Sequence, residues 1–485
     1  MTLNTDQQQI LDRSSLTISN GVKVVRLSGS HFEIGFQHGY RLASRIQLML
    51  DETLPAAAAV IAKTLHSDYE TARQKMQQGA DCAKPFLPPE LAEEMRGIAE
   101  GMTAAGYPAS YEDIQLWNSM YDQWCIYAHP HYWNVDDPKT KGQYPGGRAG
   151  THVLAGAGCS SFSAWDDSTG GDGKLLFCKN EDNLNLPGQL DNRYLFVVNP
   201  DVGNAHLFLC FPGMIGMDGG FNSNGVTMMT QYNASIHETM EGCGIGVFTR
   251  LLLTHANTLD EAIQVFYDHP RCTGIAYHCA DAKQRAAAVV ETSAKMVTVR
   301  HPMPNFTRLW QANDSICYPG YQGYYGYNMV ADQQLVYELK DVSSIQNYLD
   351  SQKEPYNMVV PAPCRFERYD QLLQQHYGEI DHLTGQTIMA DRYDPYTGMT
   401  RPENATSYTN NIMACISANY PQDEFEQDIN GPFKAGVANL WSLIAYPETG
   451  DCWLAIEDFP ANQGQFHAFN LPELIEQAPG EPLIV

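Results

Sequence analysis

Residues 155–183 read AGAGCSSFSAWDDSTGGDGKLLFCKNEDN. Three small flexible residues, Gly156, Ala157 and Gly158, precede a cysteine and two serines, and Asn180, Glu181 and Asp182 lie near the end of the stretch. One reading is structural: an exposed turn feeding a strand hairpin. The other is chemical. A thiol attacks only as the thiolate, and a free cysteine has a pKa near 8.5. Breaking the peptide bond before Cys159 would give that residue a free α-amino group, of pKa about 7.7–8.0, which could take the thiol proton as a local base. Producing that terminus requires Cys159 to attack the Gly158 carbonyl and form a thioester that water then cleaves. Glycine before the cysteine suits this, because the backbone can bend into attack geometry with no Cβ in the way. Buried cysteine is nonetheless a common small hydrophobe, so the Gly-Cys step alone leaves both readings open.

Composition narrows the field. The chain has 485 residues, room for one large or two to three ordinary domains, and 44% of them are hydrophobic, enough for a sizeable core. Thirty basic against 56 acidic residues give a net charge of −26. Such an acidic surface argues against DNA, RNA or an anionic membrane as partner. No apolar run reaches the roughly 18 residues of a bilayer span. The opening MTLNTDQQQILDRSS lacks the basic region and apolar core of a secretory signal, so a cytoplasmic protein is expected. The twelve cysteines then read as free thiols rather than a disulfide framework. They are scattered with no Cys-x-x-Cys pair, which speaks against a zinc ribbon. Neither a P-loop nor a Gly-x-Gly-x-x-Gly opening a helix is present, so no nucleotide cofactor is expected.

The first 150 residues read as mainly helical. VVRLSGSHFEIGFQHG begins as a short strand and turns at Gly29-Ser30 into a helix, with Ser30 as cap and Glu33 at capping-box spacing. In LPPELAEEMRGIAEGMTAAGYP, Leu91, Met95, Ile98 and Met102 share one helical face behind Pro89. SYEDIQLWNSMYDQW reads as a further helix, and residues 136–150 as a loop or linker. After Cys159 the period changes. CSSFSAW, KLLFCKN, RYLFVVNP and AHLFLCFP look like successive strands of one antiparallel sheet. Asn224-Gly225 between apolar runs marks a hairpin. A helix follows, with Leu259 to Phe266 starting behind a Thr258 or Asn257 cap, then a strand pair turning near Asp281–Gln284. Helices are expected over roughly 330–380, and strands at LWSLIAYP and CWLAIEDF. The succession of strands, helices and strands predicts an α+β sandwich.

Four segments together carry a resemblance that covers most of the chain. They are GSHFEIGFQHG (29–39), the helical run EEMRGIAEGM to YEDIQLWNSMYD, the hairpin GCSSFSAW to GKLLFCKNED, and the strand pair GGFNSNGVTMMTQYNA. In this order they resemble the acyl-coenzyme A:isopenicillin N acyltransferase family of autoproteolytic cysteine acyltransferases and amide hydrolases, within the N-terminal-nucleophile superfamily. The resemblance implies a four-layer αββα sandwich, with residues 1–158 as a helical pro-region or small subunit and 159–485 as the catalytic part. It makes Cys159 the nucleophile and Gly158–Cys159 the self-cleaved bond. It makes Asp182 the carboxylate that orients the catalytic amine, with Asn180 as structural support for its turn. LWQANDSI (309–316) resembles a segment whose asparagine, here Asn313, would help hold the oxyanion.

Implied too is a small N-acyl or peptide-like amide as substrate. No cofactor and no metal are expected, and the helices of 1–158 have apolar faces that need a partner surface, so the fragments are expected to stay associated; a homo-oligomer is compatible with this. Water is favoured over an amine as acyl acceptor. Two alternatives stay open, a phospholipase B-like or ceramidase-like lipid amidase and a non-cleaving binding protein on the same fold.

The chain also departs from that pattern. The family carries a late arginine near the nucleophile, and TNNIMACISANY (409–420) has none; Arg392 and Arg401 lie near in sequence but read as surface residues. Arg365 and Arg368 read as packing and ion-pairing residues. His129 and His131 suggest a loop pair rather than a metal site, and the Tyr/Gly-rich 318–328 suggests packing and turns. Ser160 and Ser161 lack a Gly-x-Ser-x-Gly elbow.

Overall fold

The computed structural model describes residues 3–19, 21–128, 159–184, 186–232, 238–311, 362–394, 437–458 and 460–477, with short pieces at 314–315, 326–327, 399–400, 424–425, 431 and 433–434. Two sheets organise them. Strands β1 (Ser15–Ser19), β2 (Val22–Gly29), β5 (Tyr194–Pro200), β6 (His206–Cys210), β7 (Gly219–Asn222), β8 (Val226–Tyr232), β9 (Ile275–Asp281), β10 (Ala286–Thr292) and β11 (Val297–Arg300) form a nine-stranded sheet in that order. Strands β12 (Arg308–Gln311), β3 (Ser160–Ala164), β4 (Leu176–Leu184), β13 (Val437–Tyr446), β14 (Asp451–Ala455) and β15 (His467–Asn470) form a six-stranded one. Every pairing within these two sheets is antiparallel except β2 with β5.

The layers follow from burial. Helices His31–Leu48, Ile245–His255 and Leu259–Asp268 pack on the large sheet, while Ala362–Gln375 and His382–Met389 pack on the small one. The sheets meet through β3 and β12 against β9. Phe162, Ala164, Leu176 and Cys178 face outward onto Tyr369, Leu373 and Ile388. The residues between them, Ser161, Ser163, Phe177 and Lys179, take the opposite face by strand alternation, toward the large sheet, where Phe177 lies 4.7 Å from the His278 ring. The architecture is a four-layer αββα sandwich of the α+β class.

Local signals in the sequence are realised closely. Ser30 caps its helix in a capping box with Glu33. Thr258 caps Leu259–Asp268 by accepting from the Glu261 N–H. Pro89 opens the helix Pro89–Ala104, whose Leu91, Met95, Ile98 and Met102 are all buried. β7 and β8 pair around Asn224-Gly225, with Gly225 at φ 83°. SYEDIQLWNSMYDQW differs slightly, breaking at Ser119 into Tyr111–Asn118 and Met120–Gln123.

Two readings need correction. The four runs after Cys159 do not form one sheet: β3 and β4 belong to the small sheet, β5 and β6 to the large one. Buried strands are apolar on both faces, so their composition carries no mark of which sheet they join. The partner that decides it, β2, lies far upstream. Asn180 and Asp182 do not sit in a turn either, since both lie within β4 and pair with β13. Of the helices expected over 330–380, Ala362–Gln375 is seen and residues 330–361 lie outside the described residues.

Candidate active site

Hairpin β3–β4 builds the site. Its register pairs Ser160 with Asn180 and Ser161 with Lys179. One step further along the same register, Cys159 faces Glu181. Because side chains alternate along a strand, Cys159, Ser161 and Ser163 share the inner face with Lys179 and Glu181, between the two sheets.

Cys159 is buried and its Sγ donates to Glu181 Oε2 at 3.0 Å, with the Asp182 carbonyl oxygen at 3.8 Å. Lys179 Nζ donates to the same Glu181 oxygen at 3.0 Å, to Asp218 Oδ1 at 2.6 Å and to the Thr230 carbonyl. Asn183 Nδ2 holds Glu181 Oε1 at 3.1 Å. Asp218 also accepts from Thr230 Oγ1 and from the Trp441 indole N–H, each at 3.0 Å. One fully buried lysine is thus clamped by two buried carboxyls, one of which touches the thiol.

The electrostatics set the resting protonation. Burial pushes the Cys159 thiol well above its ordinary range; Glu181 adds to this, and Lys179 opposes it without winning. Burial, then the charge of Asp218, raises the Glu181 carboxyl to about 8 against the pull of Lys179. Burial alone would discharge Lys179, but Asp218, Cys159 and Glu181 together keep it charged. The thiol therefore rests neutral beside a carboxyl that exchanges its proton at mildly alkaline pH. Such a pair can pass a proton from sulfur to oxygen.

Asp182 lies on the outer face of the same strand. Its Oδ1 accepts from Asn439 Nδ2 at 2.9 Å. Asn439 is itself fixed, accepting the Asn462 backbone N–H at 2.7 Å. The ladder shifts register between Asn439 and Trp441. Such a bulge re-aims side chains, and here it turns Asn439 toward Asp182 while Trp441 reaches Asp218. Asn180 bonds the Met389 carbonyl at 3.1 Å and accepts from Ser442.

A second polar group holds β3 itself. His278 of β9 sits between two serine hydroxyls, Ser161 Oγ at 2.8 Å from Nδ1 and Ser163 Oγ at 3.0 Å from Nε2, and Gln231 donates to Ser161 Oγ at 2.8 Å. Burial keeps the imidazole neutral, with Arg300 and Lys179 adding to the effect. On the outer face, Tyr369 donates to Ser160 at 2.8 Å. The strand that carries Cys159 is bolted on both sides.

Among the residues singled out in the sequence, Cys159 directly precedes β3 and Asp182 lies on the adjacent β4, with the thiol and the carboxylate on opposite faces of the hairpin. Gly158, Asn313, Arg401 and the histidines 129 and 131 lie outside the described residues. Arg368 makes a bidentate pair with Asp391 at 2.7 and 2.8 Å, as expected of an ion-pairing residue. Sequence reading missed Lys179, Glu181, Asp218 and Asn439. The hairpin register sets Glu181 opposite Cys159, but nothing local marks that face as interior, and nothing local points to Asp218 or Asn439. Among the described residues no group of three or more His, Cys, Asp or Glu is placed to hold a metal ion, and no helix is long and apolar enough to cross a membrane.

A separate cavity lies in the helical layer, lined by Gln115, Asn118, Asp122, Met240 and Cys243 among others. Its Asp122 accepts the Ile245 N–H at 3.0 Å and so caps the helix Ile245–His255. Burial raises that carboxyl to about 7.

Comparison with known proteins places the chain in context. An uncharacterized protein of Archaeoglobus fulgidus is 28% identical over 295 residues, 59% of this chain and 46% of that one. The chain thus spans about half the length of the curated relative it matches. Two solved structures are similar at low identity. Penicillin V acylase from Agrobacterium tumefaciens is 14% identical, with a TM-score of 0.34 over 61% of this chain and 83% of that one. A mutant of conjugated bile acid hydrolase from Clostridium perfringens is 12% identical, with a TM-score of 0.36 over 66% and 94%. Residues 168–423, just over half the chain and including β4, match the family described as acyl-coenzyme A:6-aminopenicillanic acid acyl-transferase, and the chain belongs to that family.

Proposed function

We propose that the chain cleaves its own Gly158–Cys159 bond and then works as a cysteine N-terminal-nucleophile amide hydrolase on small N-acyl or peptide-like amides. The observation that carries this reading is the head of β3, where a cysteine thiol is hydrogen-bonded at 3.0 Å to a buried carboxyl. Membership of an acyl-transferase family supports it.

In the mature form the Cys159 α-amine takes the thiol proton, and the sulfur attacks the substrate carbonyl. Asp182, fixed by Asn439, orients that amine. Asn313 donates to the oxyanion as charge develops on oxygen. The substrate's amine leaves with the proton taken from the thiol, and water resolves the Cys159 thioester, its hydroxyl going to the acyl carbon and its proton restoring the thiol. An acceptor amine in place of water would make the same enzyme a transferase. Residues 1–158 and 159–485 stay together after cleavage. Their association is supported by the β2–β5 pairing, which runs one sheet through both pieces.

Intact mass of the purified protein beside Cys159→Ala tests the reading. Apportioning 54.1 kDa by length gives pieces of roughly 18 and 36 kDa. Wild type is expected to split there while the variant stays whole. A wild type that stays whole while folded overturns self-cleavage.

A further inference from the structure

Before the Gly158–Cys159 bond opens, Cys159 has no α-amine, so the base that serves the mature enzyme does not yet exist. The proton on Sγ must leave by another route if the chain is to cleave itself. Glu181 Oε2, 3.0 Å away, accepts a hydrogen bond from that thiol. Its position is over-determined. Lys179 holds Oε2, Asn183 holds Oε1, and the hairpin register sets the residue opposite Cys159. We propose that Glu181 is the catalytic base of maturation, taking the Cys159 proton in the uncleaved chain and handing it to the departing nitrogen. This rests on the self-cleavage reading above and adds the group that makes the step start.

The step balances without a co-reactant other than water. Glu181 Oε2 takes the proton from Sγ as sulfur bonds to the Gly158 carbonyl carbon. The carbon–nitrogen bond then breaks, and the proton passes from Glu181 to the Cys159 nitrogen, which becomes the α-amine. Water hydrolyses the thioester, its oxygen staying on the Gly158 carboxyl and a proton restoring the thiol. Lys179 remains charged throughout and steadies the carboxylate between transfers. From then on the new amine, carried on the same residue as the sulfur, can take the thiol proton, and Glu181 is released from the role of base.

The groups facing Glu181 decide how this depends on pH. Asp218 opposes its ionisation, Lys179 and the hydrogen bond donated by the Cys159 thiol favour it, Tyr121 lies within its electrostatic reach, and Asp182 acts on the thiol beside it. With the carboxyl held near 8, the fraction able to accept a proton grows between neutral and mildly alkaline pH. The cleavage rate should climb with it.

The test follows cleavage over time in full-length chain made by cell-free synthesis, from about pH 6.5 to 9, for wild type, Glu181→Gln and Glu181→Asp. The pH limits bracket the range in which such a base changes state. Wild type should accelerate with pH. Glu181→Gln should slow by about 100-fold or more, the usual share of a general base, and lose the rising limb. Glu181→Asp should keep the limb at a reduced rate, because the carboxylate survives farther from the sulfur. If Glu181→Gln cleaves at the wild-type rate with the wild-type profile, Glu181 is not the base. Should Glu181→Gln fail to fold, Glu181→Asp decides alone, and an unchanged rate in it overturns the proposal. Wild type that never cleaves removes the underlying reading instead, a failure visible without any variant.

Discussion

Lys179 is fully buried and spends its donors on Glu181, Asp218 and the Thr230 carbonyl. Removing one partner of a buried ion cluster leaves the others uncompensated, at a cost of about 3–5 kcal/mol. Lys179→Met should therefore destabilise the fold by about that much, read from denaturant midpoints. A loss below about 1 kcal/mol, the worth of a surface pair, would mean that the two carboxyls manage without the cation. The same residues show what the sequence could reveal. Cys159 was legible because its neighbours Gly158, Ser160 and Ser161 are unusual in a row. Lys179 and Glu181 were not, because a charged pair in a hairpin usually marks a solvated face. Only the second sheet, supplying Asp218 and Thr230 from beyond residue 217, shows that this face is interior.

At the scale of elements, the helices His31–Leu48 and Pro89–Ala104 cross backbone to backbone. A Cβ on Gly35 or Gly39 would sit 2.0 Å from the Glu94 or Ile98 carbonyl oxygen, and one on Gly97 or Gly101 would sit 2.2 Å from that of Phe32 or Phe36. Glycine costs about 1 kcal/mol against alanine in a helix interior, and close contact along the whole crossing offsets it here. Gly97→Ala should lower stability by about 1–3 kcal/mol, the cost of overpacking, instead of raising it as helix propensity alone would. A higher melting temperature in that variant would show that the helices can move apart freely. The helices themselves were readable from caps and apolar spacing. Their separation was not, since periodicity reports which face is buried and says nothing of how near the neighbour comes.

Across the whole molecule, the N-terminal segment is tied to the rest by β2 alongside β5 and by a buried ion pair. Arg250 clasps both oxygens of Glu94, with Nη2 at 2.8 Å from Oε2, and His31 Nδ1 lies 3.0 Å from Oε2. Burial opposes ionisation of Glu94, yet Arg250 and His31 draw its carboxyl down to about 2 from an ordinary 4.5. A carboxyl so depressed binds fewer protons folded than unfolded. Its stabilisation is full above pH 4.5 and drains away as pH falls toward 2. Acid titration of unfolding should show this loss, and Glu94→Gln should flatten that part of the curve while lowering stability at neutral pH. An unchanged acid limb in Glu94→Gln would place the sensitivity elsewhere.

The walls around the thiol come from widely spaced parts of the chain: β3 and β4, then Asp218 and Thr230, and finally Asn439 and Trp441 on β13. A ribosome delivers these in that order. When Cys159 emerges, its lysine clamp has no second carboxyl, and Asp182 has no asparagine to hold it until nearly three hundred further residues have been translated. Contacts so far apart in sequence form late. The surroundings of Cys159 are therefore completed only when β13 joins the small sheet, so a nascent chain stopped before residue 437 lacks the strand that pairs with β4 and holds Asp182.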